Sequence, residues 1–421
     1  MASLLKYCLI CSLYPYAPKF NMGKKKLFND PIYGLVDFRD EVVYELIDQP
    51  YFQRLRRIRQ MGLSDYVYAG ATHPRFQHAL GATHLLYRGL DTLESKGVVI
   101  TDEERQAAAM AILYHDIGHG PFSHALEGSL VGKHHEALTL AFLKRVESDY
   151  GSIGTMAIQI FEGRYEKKFL SSLIASQLDV DRLDYLSRDS YYTGVAEGVV
   201  GYDRIIKMLE VKDNELLIEE KGLHSIEKFL VSRYLMYAQV YLHKTSLVAE
   251  KMLKKAVDRV KMLLAAGEKV EMNMSLETLL TSGAGSITEF DIMELFSSLD
   301  DIDVWDLLKR NVNHKDRVLA YLCKGLVNRQ LSRIIIGGPE VLASEPYRKA
   351  QKEVEKMALT GEEKGYLLIN GQETITAYSE AKSAIRFLLR DGQVLPFSQQ
   401  TALSEALFVD KALQYFIYPR W

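Results

Sequence analysis

EERQAAAMAILYHDIGHGPFSHALEG, residues 103–128, decides the fold class. Its first half is rich in Ala, Leu, Ile and Met, good helix formers, and reads over 103–117 as a helix buried in a helical bundle. Gly118-His119-Gly120-Pro121 stops that helix, and Pro121 suits the first turn of a following one, PFSHALEGSL. His115 and Asp116 sit inside the apolar run, side by side and of metal-ligand type. An ionised Asp116 buried there is costly unless a cation or hydrogen-bond donors compensate. A lone helical histidine is more often a hydrogen-bonded core residue. Here His115, Asp116, His119, His124 and Glu127 crowd around one helix break, and His115 and His119 fall near one helix face.

Working outward, residues 39–61 carry apolar positions at helical spacing and divide into two helices at Asp48-Gln49-Pro50. Phe52, Leu55 and Ile58 make an apolar stripe, with Arg54, Arg56, Arg57 and Arg59 around the rest. Helices are predicted at 76–95, 135–149, 153–161, 168–177, 180–190 and 202–209. A polar hairpin at 211–222 precedes one long helix over 223–265. A Gly/Ser/Thr-rich linker at 281–287 leads to further helices over 288–330. Then β signals appear: Arg333–Ile336, and a hairpin of Tyr366–Ile369 with Glu373–Tyr378 about an Asn370-Gly371 turn. The expectation is a mainly α fold with a smaller α+β C-terminal part.

The chain has 421 residues, 48% hydrophobic, with net charge −3, which excludes general disorder and a nucleic-acid-coating polycation. Cys8 and Cys11 form one CxxC without a second pair, and with Cys323 they read as incidental thiols of a reduced compartment. The apolar run Leu4–Leu13 is interrupted by Lys6 and Tyr7 and lacks a cleavage pattern, and MGKKKLFNDP from Met22 reads as a more natural start. No stretch has the length of a transmembrane helix, so a cytoplasmic protein is expected.

Two further segments carry ligand-type residues. His78 lies in HPRFQHALG, three residues after Arg75, whose planar fork suits phosphate oxygens. In DVDRLDYLSRDS, residues 179–190, Asp181, Asp184, Tyr185, Arg188 and Asp189 share one helix face. That face is either a solvated surface with internal ion pairs or the polar wall of a pocket. In the second case Asp181 would reach a metal, Arg182 a phosphate, and Tyr185 and Asp189 a ligand hydroxyl. His135 and Glu136 add a charged pair at a helix start. Together these residues point to metal-assisted hydrolysis of a phosphoester or phosphoanhydride.

At these residues the chain resembles the HD-domain phosphohydrolase superfamily, whose H…HD…D pattern is met by His78, His115-Asp116 and Asp181. The ordered stretches KLFNDPIYG, DQPYFQRLRRIRQMG, HPRFQHALGATH, YHDIGHGPFSHALEG, HHEA and DVDRLDYLSRDSYYTG resemble its deoxynucleoside triphosphate triphosphohydrolase branch. That branch includes the vertebrate sterile-alpha-motif/HD-domain enzyme and bacterial dGTPase-like relatives. The resemblance implies an HD helical bundle that cleaves a dNTP, with dGTP one candidate, to deoxynucleoside and inorganic triphosphate. It implies a catalytic domain over 24–280, an assembly or regulatory region over 281–421, and a tail at 1–23. His78, His115, Asp116 and Asp181 would hold a divalent Fe, Mn, Zn, Co or Ni, with Mg as a second ion. His119, His124 and His135 would line the cleavage site, His124 acting as general acid with Glu127 orienting it. Arg75, Arg182 and Arg233 would hold phosphates. Gln60, Tyr185 and Asp189 would contact the sugar and phosphate, with Tyr241 and Tyr185 packing against the ribose.

The resemblance also implies a GTP or dNTP activator bound between the subunits of a homodimer or homotetramer. Lys26, Asn29, Asp48, Gln53 and Arg56 match one activator site, and Arg204, His243 and Lys244 more loosely a second. The bland reading is that Asp48 caps a helix and the arginines are a solvated face. Leu242 and Tyr237 depart from the vertebrate pattern, so base preference does not transfer. Two other readings stay open. One is an HD phosphohydrolase of another nucleotide, a 5′-nucleotidase or cyclic-dinucleotide phosphodiesterase. The other is a catalytically vestigial regulator that binds nucleotide or nucleic acid.

Overall fold

The computed structural model describes residues 26–281, 289–376, 378–380, 383–403 and 410–420. The expectations for the tail at 1–23, for Cys8 and Cys11, and for most of the linker at 281–287 lie outside them. The fold is mainly helical. Its centre is α1 (Arg75–Ser95), packed against α2 (Asp102–Tyr114) on one side and α3 (Val180–Thr193) on the other. Helices His135–Tyr150 and Ser152–Phe161 close over α2. A capping box between Thr101 and Glu104 starts α2, and Ala107 to Tyr114 are wholly buried, as the Ala-rich run predicts.

α4 (Lys244–Ala265) links this bundle to helix Arg317–Val327 and to strand β5 (Arg333–Gly337). Three small sheets complete the fold. β1 (Phe28–Asp30) pairs with β2 (Gly34–Val36). β3 (Leu209–Lys212), β4 (Glu215–Glu219), β7 (Arg386–Leu388) and β8 (Val394–Pro396) make a second sheet in which β4 and β7 run parallel. The third sheet has the order β5-β9-β6, with β6 at Ile369–Ile375 and β9 at Lys411–Tyr418, both pairings antiparallel. One continuous apolar core runs from Val36 to Ile417.

Four local expectations are corrected. Helix Pro50–Gln53 tightens into a 3-10 turn at Arg54–Arg57 and ends there instead of reaching residue 61. The helix after Pro121 is only Ser123–Leu126, because Phe122 takes left-handed φ 46° and ψ 46°. That backbone disfavours a bulky L-residue by about 1–2 kcal/mol. The helix expected over 223–265 opens into a π turn at Tyr237–Tyr241, leaves helical geometry at Leu242, and restarts from the His243 cap. The Asn370-Gly371 hairpin does not form, and both residues lie inside β6 paired to β9. A Cβ on Gly371 would meet the Tyr415 ring oxygen at 2.3 Å, so this glycine serves a close aromatic approach and not a turn.

Candidate active site

The three central helices bring four polar groups to a common point. α1 carries His78, α2 ends at His115 with Asp116 following, and α3 carries Asp181 in its first turn. His78 Nε2 lies 3.2 Å from His115 Nε2 and 3.1 Å from Asp181 Oδ1. His115 Nε2 is 3.4 Å from both Asp116 Oδ1 and Asp181 Oδ1. One ligand atom each of His78, His115 and Asp116 lies within 4.8 Å of the others, and Asp181 closes a further side through both imidazoles.

The outer nitrogens decide what this point can hold. His78 Nδ1 donates to Asp184 Oδ2 at 2.8 Å, and His115 Nδ1 to the Ile112 carbonyl at 2.6 Å. A neutral ring that donates from Nδ1 presents a bare lone pair at Nε2. With both rings neutral the four groups would meet as acceptors only; without a cation between them, the carboxylates favour protonated rings instead. Burial opposes charge on His78, yet Asp181 and Asp184 raise its pKa to about 10. His115 is raised as well: burial opposes its charge, and Asp116 and Asp181 prevail. Burial would raise Asp116 and Asp181, but the imidazoles, joined at Asp116 by Arg75, hold both carboxylates well below the ordinary range. The point demands positive charge, and its borderline nitrogen and oxygen donors fit a divalent transition metal.

Asp184 is fully buried and fixes the His78 ring. Its carboxylate also accepts Arg188 Nε and Nη2, both at 2.9 Å, and Arg188 Nη1 reaches Asp30 Oδ2 on β1 at 2.8 Å.

Beside this point stands a wall of arginine and histidine. Arg75 Nη1 donates to Asp116 Oδ2 at 2.5 Å, its Nε and Nη2 to Ser123 Oγ at 3.1 and 2.7 Å, and its Nη2 lies 3.4 Å from His124 Nε2. His119 contacts Asp116 Oδ1 at 3.3 Å and stacks on His135 with ring centroids 4.0 Å apart. Burial, then Arg75, pulls His119 down to about 3 and His124 down to about 4, so both rings are neutral near pH 7. Glu127, expected to orient His124, instead accepts His135 Nδ1 at 2.5 Å and the His135 amide at 3.2 Å. Burial works against its charge, but His135 brings Glu127 down to about 2. An open cavity of about 290 Å³ is lined by His119, Ser123, Glu127, Lys133 and His135.

Comparison with known proteins agrees with this arrangement. The HD domain model matches residues 75–189, and the HD associated region model matches 200–312. A crystal structure of a phosphohydrolase from Bacteroides thetaiotaomicron superposes with a TM-score of 0.88 at 39% identity, covering 94% of this chain and 100% of that one. The chain belongs to the HD-domain phosphohydrolase family. Uncharacterized protein YwfO of Bacillus subtilis is 30% identical over 95% of this chain and 93% of its own length. The deoxynucleoside triphosphate triphosphohydrolase SAMHD1 homolog of Dictyostelium discoideum is 31% identical over 58% of this chain. This chain matches about half of that relative's length, 51%.

Two turns further along α3, the HD phosphohydrolase has a second buried cluster. Asp189 Oδ1 accepts from His73 Nε2 at 2.8 Å, and Asp189 Oδ2 from Tyr241 OH at 2.7 Å. Tyr241 reaches Asp189 from the π turn, and the Tyr185 ring lies 6.3 Å from it, edge-on. Gln60 is buried with its side-chain carbonyl unpartnered. Arg182 is tied to Asp179, and Arg233 Nη1 to Gln177 Oε1 at 3.2 Å.

The residues matched to activator sites sit apart from His78, His115, Asp116 and Asp181 in the hydrogen-bond network. Lys26 pairs with Asp48, Arg56 Nε donates to Gln53 Oε1 at 2.8 Å, and Arg56 stacks 3.6 Å over the Phe76 ring. Asn29 lies in β1. Arg204 Nη2 donates to the Lys221 carbonyl at 3.1 Å, and His243 caps α4, where Lys244 is exposed. Among the described residues no helix is long and apolar enough to cross a membrane.

The sequence reading missed Asp184, His73 and Ser123. Asp184 was on the polar stripe of α3, three residues after Asp181, but the stripe alone did not show that it turns to His78 Nδ1. Ser123 and His73 lie inside the quoted motifs, and only the fold shows them hydrogen-bonded to Arg75 and Asp189.

Proposed function

We propose that this HD phosphohydrolase cleaves a deoxynucleoside triphosphate, dGTP among the candidates, to deoxynucleoside and inorganic triphosphate. The observation that carries the reading is the pairing of the His78, His115, Asp116 and Asp181 nest, which demands positive charge, with two different walls. One is Arg75 with His119, His124 and His135, suited to phosphate. The other is Asp189 with Tyr241 and Tyr185, suited to a sugar hydroxyl packed on aromatic rings.

His78, His115, Asp116 and Asp181 would hold a divalent Fe, Mn, Zn, Co or Ni, with Mg as a second ion. Such a metal would screen phosphoryl charge and lower the pKa of water. Arg75, braced by Asp116 and Ser123, presents a fixed guanidinium to phosphate oxygens. Water adds to the α-phosphorus as the bond from phosphorus to the 5′ oxygen breaks, and the departing oxygen takes a proton from His124. Burial and Arg75 keep that imidazole neutral in the free protein. An anionic phosphate paired with Arg75 raises the His124 pKa and turns it into the acid. His119 and His135 line the phosphates, with Glu127 fixing His135. Arg182 and Arg233 bind the distal phosphates, and Gln60 uses its free carbonyl on the sugar.

We extend the reading to regulation. GTP or a dNTP binds between subunits of a homodimer or homotetramer at Lys26, Asn29, Asp48, Gln53 and Arg56, and a second nucleotide at Arg204, His243 and Lys244. Residues 24–280 are the catalytic part and 281–421 serve assembly and regulation.

The test is incubation of metal-loaded protein with each dNTP, with and without GTP, and chromatography of the products. Deoxynucleoside with intact triphosphate is the expected outcome. Release of orthophosphate or pyrophosphate would sink the reading and favour another nucleotide ester. Tight nucleotide binding without turnover would favour a regulator.

A further inference from the structure

One carboxylate ties two backbone segments of the candidate site to a distant helix. Asp301, at the start of α5 (Asp301–Arg310), is 4% exposed. Its Oδ1 accepts from the Phe122 amide at 2.9 Å, and its Oδ2 from the Arg59 amide at 2.9 Å. Phe122 is the residue held in left-handed backbone immediately before Ser123 and His124. Arg59 forms an isolated antiparallel bridge with Pro74, the residue before Arg75. In that bridge the Arg75 amide donates to the Ile58 carbonyl at 2.9 Å and the Gln60 amide to the His73 carbonyl at 3.0 Å. Asp301 therefore fixes, at once, the segment that carries His124 and the segment that carries Arg75.

A second contact works to the same end. Arg54 is 1% exposed and donates to the carbonyls of Ile117 at 2.6 Å, His119 at 3.0 Å and Leu299 at 3.3 Å. It spans the same two parts of the molecule, the histidine loop and the approach to α5. The Phe122 ring meets Trp305 of α5 edge-on at 5.8 Å.

We propose that Asp301 is a positioning residue for the phosphohydrolase reaction, a backbone clamp that sets the distance between His124 and Arg75. The region matched as HD associated then completes the active site from outside the HD domain. The proposal rests on the reading of Arg75 and His124 as reaction residues, and its first test needs no substrate.

Asp301→Asn keeps the shape and one good acceptor but turns the second oxygen into a donor that faces a donor. Burial pushes the Asp301 carboxyl up to about 6, so the site opposes a negative charge, which Asn removes. Hydrogen exchange is followed in the full-length, metal-loaded protein. Exchange should rise about tenfold at Phe122 or at Arg59, whichever amide loses its acceptor, with metal content held. Unchanged exchange at both amides overturns the clamp, whatever the substrate is. On the dNTP that the parent protein cleaves, kcat should fall about 10–100-fold with KM within about threefold. A parent-like kcat, or a loss confined to KM, overturns the positioning role. Should the Asn variant not fold, Asp301→Glu is used. Its longer carboxylate keeps two acceptors but shifts them, so kcat should fall with metal retained, and parent-like kcat again overturns the proposal. A parent protein inactive on every dNTP removes the proposed substrate and leaves the exchange result to decide the clamp.

Discussion

Asp184 Oδ2 and His78 Nδ1 meet at 2.8 Å inside the protein, where neither side chain has any exposure to solvent. This contact engages Nδ1 of His78 and leaves Nε2 as the nitrogen that would face a metal. Replacing Asp184 by Asn weakens that contact, because an amide can present a donor to Nδ1. Metal affinity of Asp184→Asn should fall about 10–100-fold, as losses of second partners to ligating histidines do. Chelator competition followed by elemental analysis measures it, and parent-like retention would refute the role.

The same buried ion pair depends on a glycine. A Cβ at position 81 would lie 2.0 Å from Asp184 Oδ1 and 2.2 Å from Arg188 Nη2. Gly81→Ala should cost about 3 kcal/mol by prising apart a pair that has no water to fall back on. Thermal melting reads this directly, and a melting temperature equal to the parent's would show that α1 and α3 separate more easily than the structure implies.

Glu250 lies behind His124, lining the same small cavity. Burial, reinforced by Glu373 and offset in part by Lys251, raises its pKa to about 7. The folded state therefore keeps a proton that the unfolded chain has lost above about pH 4.5. Stability contributed by this group declines as pH rises from about 4.5 to 7 and stays low beyond. Glu250→Gln should raise the melting temperature by about 2–4 °C at pH 8 and leave it unchanged at pH 4.5. An equal shift at both pH values would contradict the buried proton.

Tyr241 supplies one of two donors to Asp189. Under the proposed function, Tyr241→Phe frees a carboxylate oxygen and loosens the sugar corner while leaving the metal nest intact. KM for the dNTP should rise about 3–10-fold, since hydrogen bonds to charged groups are worth about 1.5–3 kcal/mol and His73 still holds the other oxygen. Unchanged KM would place the sugar elsewhere.

The parts of this molecule that were legible in its sequence are those where residue type alone is informative. Helical patterning announced α1, an Ala-rich apolar run announced α2, and a histidine next to an aspartate in that run announced a charge that needed a partner. The unread parts depend on what lies across space. Asn370-Gly371 is a strong turn signal locally, but pairing with β9 and the Tyr415 ring overrides it. Pro121 suited a helix start, yet Phe122 is bent left-handed where Asp301 takes its amide. Glu127 was placed near the right histidines, and which one it touches was decided by His135 swinging in at a helix start. Nothing near Asp301 marks it, because its partners are the amides of residues 59 and 122, and to its neighbours it is one more acid at a helix N-terminus.

The lateness of Asp301 in the chain sets an order for biosynthesis. A ribosome that has reached the end of α3 has already made all four inward-facing acceptors, Arg75 and every histidine of the wall. The carboxylate that locks Phe122 has not yet been made. Until α5 emerges, the amides of Phe122 and Arg59 lack the carboxylate that holds them in the finished fold. On the proposed function, the groups that would hold the ion are made first, and the carboxylate that sets the His124 loop is made last.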